Sequence, residues 1–282
     1  MKIILFGATG NLGLCIAKEL KQKNYNFSVV IRNQSKAYLF NGITQNIIIA
    51  DVTEPASLLN ICKGYDVVIS ALGKSVSLLD KSKPSFYEID ELANTNILLD
   101  ALRSGIKKFV YISTFHAEKY LHLEFFKVHN NFSHKLTTSG IDYSIIKPTG
   151  LFSAFREMFD MAKKGQLINI GNGNKNTNPI FEGDLAQLCV NSITQKNIIL
   201  EAGGKNIYSR KQLLEIIQQE ANPEKSIRQI PFNIFKISLP LLYLYNKNLH
   251  HKFSFFLAVI EHDTIAPKVG ETSFETYVKR EI

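Results

Sequence analysis

Residues 2–13 constrain the fold more than any other stretch of the chain. Lys2 to Phe6 is a strand-forming run, Gly7, Gly10 and Gly13 follow at intervals of three, and Leu12, Ile16 and Leu20 then recur at helical spacing. A strand, a glycine-spaced turn and a helix in that order predict a phosphate-binding βα turn. Gly7 permits the sharp exit from the strand. Gly10 lets backbone N–H groups approach a pyrophosphate with no Cβ in the way, and Gly13 lets the helix lie close to the sheet. The spacing Gly-x-x-Gly-x-x-Gly departs from the commoner Gly-x-Gly-x-x-Gly, so the flanking strand and helix carry the argument. Thr9, Asn11 and Leu12 complete the expected dinucleotide cradle; the alternative is a glycine-rich turn in some other α/β domain.

Strand and helix patterns alternate over the first 150 residues. Strands are expected at Asn26–Ile31, Asn46–Ala50, Tyr65–Ala71, Lys107–Ile112 and Asp142–Ile146, with helices at Ser85–Ser104 and Leu123–Thr138. In the first of these helices Leu92, Asn96, Leu99 and Arg103 recur on successive turns. Val67-Val68-Ile69 and Phe109–Ile112 are continuous apolar runs, as strands covered on both faces require. Gly105 and Gly140 fall where left-handed helix caps are wanted. The fold class is therefore α/β, a Rossmann-type doubly wound parallel sheet with a small C-terminal substrate lobe. Residues 1–150 form the NAD(P)-binding domain. Residues 151–282 form a smaller substrate or partner lobe, built from insertions and C-terminal helices, that does not fold independently. In that lobe helices are expected at Phe152–Lys163, Asp184–Ser192 and Ser209–Ala221, and short strands at Gln166–Ile170 and Ile198–Glu201.

Composition narrows the function class. Thirty-three Lys+Arg against 25 Asp+Glu give +8, but the cations are scattered, which points to a solvated basic surface and not to nucleic acid. Cys15, Cys62 and Cys189 are odd in number and lack C-x-x-C spacing, so a reducing, cytoplasmic compartment without disulfides or structural zinc is expected. His116, Glu118 and His122 match no standard metal spacing. His250-His251 and His262-Asp263 read as surface features, and no nucleophile elbow accompanies them. Lys236 and Pro240 interrupt the apolar stretch Ile230 to Tyr245 and argue against a membrane span. Helical turns packed on the domain are expected there, with a membrane or partner surface as the alternative; residues 230–260 are the candidate protein-docking face.

Ligands of open α/β sheets bind beyond the carboxyl ends of the strands. Arg32 follows the second strand, where a carboxylate would favour NAD(H). Its planar guanidinium suits a 2′-phosphate, and Lys36 lies four residues on, so NADP(H) is favoured over NAD(H); otherwise Arg32 is a surface residue. Asp51 and Val52 follow the third strand, placed either for the adenine edge or, through Asp51, to cap the next turn. Ala71, Leu72 and Gly73 end the fourth strand, where Gly73 either leaves room beside the second ribose or simply begins the loop to Pro84.

Together Gly7–Gly13, Arg32, Asp51-Val52, Ser70–Gly73 and Val110–Thr114 resemble an atypical short-chain dehydrogenase/reductase. Ser139–Pro148, Asn178-Pro179-Ile180 with Asp184-Leu185-Ala186, and Gly203-Gly204 through Leu213 resemble its NmrA-like, NAD(P)H-binding branch. The resemblance implies that Ser113 lies near the nicotinamide and that Pro148, Gly150 and Leu151 contact that end of the cofactor. It also implies a Tyr-x-x-x-Lys pair on the helix after Ser113, the tyrosine acting as acid/base. Phe125 and His129 hold those positions here. Phe125 has no proton to transfer. His129 is placed either to touch a ribose hydroxyl or act as base, or to serve the structure; Tyr120 and Lys127 are further candidates for the missing acid.

Phe115, Phe125, Phe152 and Phe155 are the candidate substrate-pocket walls, although Phe152, Phe155 and Phe159 also share the spacing of a core-facing stripe. The expected activity is NADPH-dependent reduction of a small-molecule quinone or conjugated carbonyl acceptor, with Ser113 and His129 as the catalytic candidates. The rival readings are a non-catalytic dinucleotide sensor and an assembly protein docking through 230–260. Epimerase chemistry needs acid/base groups that Phe125 does not supply.

Overall fold

A computed structural model describes residues 1–281 of the chain. The elements run β1 (Lys2–Phe6), α1 (Asn11–Gln22), β2 (Asn26–Ile31), β3 (Ile47–Ile49), β4 (Val67–Ser70), α2 (Asn94–Arg103), β5 (Lys108–Ile112), α3 (Glu124–Thr137) and β6 (Asp142–Pro148). They continue with α4 (Arg156–Lys163), β7 (Ile168–Ile170), β8 (Asn176–Thr177), α5 (Glu182–Asn191), β9 (Ile198–Ala202), β10 (Tyr208–Ser209), α6 (Arg210–Ala221), β11 (Arg228–Ile230), α7 (Phe232–Tyr245), α8 (Lys247–Glu261) and α9 (Phe274–Glu281).

Seven strands form the main sheet in the order β3-β2-β1-β4-β5-β6-β9. β1 pairs in parallel with β2 on one side and β4 on the other, Ile4 lying opposite Ser28 and Val68. The strand order therefore reverses beside β1, and the glycine turn leaves the sheet at that switch point, where open α/β sheets hold their ligands. Ile3, Ile4, Leu5 and Phe6 are all fully buried, so both faces of β1 are covered. One core of this unit gathers Ile4, Phe6, Val68, Phe109, Tyr111 and Ile145 from the strands with Ile97, Leu98, Phe132 and Leu136 from α2 and α3.

Contacts divide the chain into two compact units. The first comprises residues 1–75, 82–147 and 185–200, and the second 76–81, 148–184 and 201–282. The break after Lys147 falls close to the expected boundary at 150, but most of α5 and the start of β9 return to the first unit. The strand expected at Ile198–Glu201 as part of the lobe is instead the seventh strand of the main sheet. The second unit has its own core, in which Phe152, Phe159, Tyr208, Leu213, Ile217, Phe274 and Tyr277 pack together. Its sheets are small: β7 pairs in parallel with β11, and β8 antiparallel with β10. Ser209 caps α6 in a capping box with Gln212.

Two local expectations need correction. The connections after β2 and β3 are short 3₁₀ turns, Gln34–Phe40 and Pro55–Leu58, not α-helices. The stripe Leu92, Asn96, Leu99, Arg103 is the outer edge of its helix: Leu92, Leu99 and Arg103 are exposed and Asn96 is half-buried. The inner face carries Asp90, Asn94, Ile97, Leu98 and Ala101. The cause is a π-turn over Tyr87–Ala93, whose wider repeat rotates the entry to α2 and turns polar residues inward.

Candidate functional site

At the head of β1, Gly7 has φ +73°, and a Cβ there would lie 2.6 Å from the carbonyl carbon and oxygen of Ala71. A Cβ on Gly13 would meet the Gly7 carbonyl oxygen at 2.1 Å and Ala8 Cα at 2.8 Å. Gly10 differs: its Cβ would meet only the Gly7 oxygen, at 3.4 Å, and would otherwise stand in open space. Two glycines thus hold strand, turn and helix together, and the third keeps the turn's outer surface bare. Gly10 is the N-cap of α1 and contributes no side-chain cap, so the first N–H groups of the helix face outward with the positive end of the helix dipole. The arrangement fits a dinucleotide diphosphate. Thr9 is half-buried and Asn11 exposed at the same rim, whereas Leu12 is buried beneath it.

Arg32 is exposed at the end of β2, and Asn33 next to it accepts a hydrogen bond from the Ser35 N–H at 2.9 Å, which starts the following turn. Asp51 accepts from the N–H and hydroxyl of Thr53 at 2.9 and 2.6 Å, so it does cap its own turn. Partial burial pushes the Asp51 carboxyl upward, but the two Thr53 bonds and the charge of Arg32 outweigh it and hold the pKa below the usual range. Asp51 is therefore an anion, and its field reaches Arg32. Val52, Ala71 and Leu72 are half-buried at the neighbouring strand ends, while Gly73 is exposed.

The interior behind β5 differs from the sequence reading. Ser113 donates its N–H to Ile146 (2.8 Å) and its hydroxyl lies 3.3 Å from that of Ser133 on α3. His129 is 5% exposed; its Nδ1 is 2.7 Å from the Tyr111 hydroxyl and its Nε2 is 3.5 Å from Asp90 Oδ1. Burial lowers its pKa to about 3 and raises those of Tyr111 and Asp90 well above their usual values. For Asp90, burial outweighs the N–H bond and positive charge of Lys74. Each shift favours the uncharged form, and with Tyr111 donating to His129 Nδ1 the ring's remaining N–H faces Asp90. Both ring nitrogens of His129 face buried protein groups, which accords with the structural one of the two placements open to it. Phe125 lies against it, ring centroids 4.8 Å apart, and also packs edge-on to Phe86. Tyr120 packs near Phe126 and burial raises its pKa, while Lys127 is exposed.

In the second unit, residues 148–152 are pinned along their length. The Thr149 N–H donates to Ala202 (3.1 Å), its hydroxyl to Asn178 (2.7 Å), and the Phe152 N–H to Ile180 (3.2 Å), while the Gly150 carbonyl accepts from the Ile180 N–H (2.8 Å). Asn178 is buried and bonds Ala266 through both ends of its amide, so the Asn178–Ile180 motif fastens this segment in place. Pro148 is buried, and Gly150 and Leu151 are half-buried. Phe152 is 1% exposed, its ring 5.1 Å from that of Phe274 and 5.2 Å from that of Tyr277. It is a core residue and not a pocket wall, because no face of the ring is left for a ligand. Phe155 is half-buried against Phe274, and Phe115 is buried and stacked on His116.

Sequence reasoning missed Tyr111, Asp90 and Glu91. Glu91 accepts from Asn131 (2.9 Å) and Lys135 (2.8 Å) on α3. Acidic residues inside a helical pattern read as solvent-facing, and only their i, i+4 relation to Asn94 and Thr95 marks an inward polar face. Among the described residues no group of His, Cys, Asp and Glu is arranged to hold a metal, and none of the three cysteines is in a disulfide.

The comparisons agree with this geometry. A family model described as NAD(P)H-binding matches residues 7–196. The photosystem II assembly factor Ycf39 of Guillardia theta is 23% identical over 96% of this chain and 87% of its own length. The chloroplastic divinyl chlorophyllide a 8-vinyl-reductase of Arabidopsis thaliana is 28% identical over 71% of this chain and 51% of its own, so this chain spans about half of it. Among solved structures, the triphenylmethane reductase of a Citrobacter species, complexed with NADP(H), superposes with a TM-score of 0.78 at 16% identity over the whole of both chains. The NADPH-dependent quinone oxidoreductase of Escherichia coli gives 0.73 at 17% over 99% of each. With a reversal point beside β1, a glycine turn shaped for a diphosphate and a family model spanning most of the chain, the protein belongs to the NAD(P)H-binding, NmrA-like family of atypical short-chain dehydrogenases/reductases.

Proposed function

We propose that the protein is an NADPH-dependent oxidoreductase that reduces a quinone or other conjugated acceptor without a tyrosine acid. The observation that carries this reading is the neutral, buried Phe125–His129 pair where a Tyr-x-x-x-Lys pair would stand, in a chain that keeps the glycine turn suited to a diphosphate. Bound NADPH supplies the hydride. The acceptor suited to such a site is one whose reduced form takes its proton from water, so that the protein need only hold donor and acceptor in register. Orientation of that kind contributes roughly 7–11 kcal/mol toward lowering a barrier. Ser113 orients the acceptor oxygen, Pro148, Gly150 and Leu151 shape the nicotinamide end, and Arg32 selects the 2′-phosphate. The likeness to a quinone oxidoreductase and a dye reductase supports the acceptor class, and the vinyl reductase supports a conjugated substrate.

A steady-state screen of NADPH oxidation over quinones and enones tests this. Turnover of at least one class is expected; tight cofactor binding with no turnover for any acceptor refutes it. The second reading, a dinucleotide sensor acting with a protein partner, is favoured by the same absence of a proton donor and by the assembly-factor relatives. It requires NADP⁺ and NADPH to shift partner affinity differently, because a ligand moves an equilibrium only through differential affinity.

A further inference from the structure

The helix α7 is apolar on two sides, and among the described residues one of them is left largely exposed. Phe232, Phe235, Leu239 and Leu242 form a half-buried stripe, and Phe235 stacks with Phe253 of α8 at 6.5 Å. Ile234, Ile237, Leu241, Leu244 and Tyr245 occupy another arc of about 100°. Ile237 is 77%, Leu241 72%, Leu244 83% and Tyr245 87% exposed. A continuous apolar row of this kind marks an interaction surface and not chance exposure.

Charge indicates what covers it. Between Glu224 and Glu261 the chain has no carboxylate, while Lys225, Arg228, Lys236, Lys247 and Lys252 are cationic. Lys252 is buried and Lys236 pairs with Glu261 at 2.6 Å, but Lys225 and Arg228 ahead of α7 and Lys247 just after it are exposed. Cations therefore flank the apolar row at both ends, and Tyr243 and Tyr245 sit beside Lys247. An apolar stripe with cationic flanks and tyrosines at one end is the pattern of a helix lying in the headgroup layer of an anionic bilayer. A second copy docked on the same face would bring cations toward cations with no carboxylate in the segment to pair them. No helix of the described residues is long and apolar enough to cross a membrane, so the contact is with the surface.

We propose that the exposed stripe of α7 seats the protein on anionic lipid surfaces. The test is flotation of the full chain with phosphatidylcholine vesicles and with vesicles containing about one-third phosphatidylglycerol, at low and high salt. Binding to the anionic vesicles is expected, at least ~10-fold stronger than to neutral ones and weakened by salt. The double substitution Ile237→Ser/Leu241→Ser should lower it at least ~10-fold with no loss of thermal stability, because both side chains are already in water. Lys247→Glu should lower binding to anionic vesicles only. The proposal fails if the wild type does not float with anionic vesicles or if the double variant floats as well as the wild type. It also fails if size measurements show a wild-type dimer that the double variant dissociates, since a second copy would then own the face.

Discussion

Arg32 and Asp90 pose opposite questions about charge. Arg32 is exposed, with the Asp51 carboxylate within reach of its charge, and its guanidinium stands where a phosphate could meet it. Arg32→Asp should weaken NADPH binding by about 10- to 100-fold, the worth of a charge-assisted hydrogen bond, and leave NADH binding nearly unchanged. Fluorescence titration with both cofactors measures this, and equal weakening of the two denies Arg32 the selective role. Burial holds the Asp90 carboxyl well above its usual range, while in the unfolded chain it ionises above about pH 4, so there the folded state binds the extra proton and stability falls as pH rises. His129 has the reverse sign: with a folded pKa of about 3 against about 6.5 unfolded, its contribution is full above pH ~6.5 and is lost as pH falls below that. Asp90→Asn keeps the shape, the acceptor for the Lys74 N–H and neutrality. The variant should therefore gain on the wild type in denaturant unfolding as pH rises above about 4. A difference that stays constant across that range would mean Asp90 is ionised in the fold.

At the scale of elements, the glycine turn separates two kinds of constraint. Gly13→Ala forces a Cβ to 2.1 Å from a backbone oxygen, so α1 must move off β1, and both thermal stability and cofactor binding should fall. Gly10→Ala meets one atom at 3.4 Å, so melting should shift by only a few degrees while dinucleotide affinity drops at least ~10-fold. Thermal melts with and without NADPH measure both effects; equal loss in the two variants would mean Gly10 is structural too. This turn was legible in the sequence because strand, glycine spacing and helix are local and each glycine has one steric reason. β2 was legible residue for residue for a similar reason, its strand-forming Phe27, Val29, Val30 and Ile31 being a local signal. The face of α2 was not, since one π-turn rotates the helix and periodicity assumes a constant repeat. Nor was the role of His129, because its partners Tyr111 and Asp90 come from other elements and leave no spacing signature.

The chain as a whole is interleaved, and this is least visible in sequence. Residues 76–81 group with the second unit while their neighbours on both sides group with the first, and local hydrophobic patterning does not report such exchanges. Lys252 is one of the side chains that tie this excursion to the second unit. Lys252, buried on α8, donates its ammonium to the carbonyls of Ser77 (2.7 Å) and Asp80 (2.8 Å) and lies 3.3 Å from the Asp80 carboxylate, across 172 positions of sequence. The Ser77 hydroxyl also bonds Glu157 on α4. Lys252→Met keeps the apolar stem but leaves two carbonyls and a carboxylate without that donor, a cost of about 1–3 kcal/mol. The loss should be local: trypsin should cut faster at Lys81, while the glycine turn, which makes no use of this bond, should bind dinucleotide as before. Unchanged cleavage would mean that the loop is held by its other contacts and that Lys252 serves α8 alone.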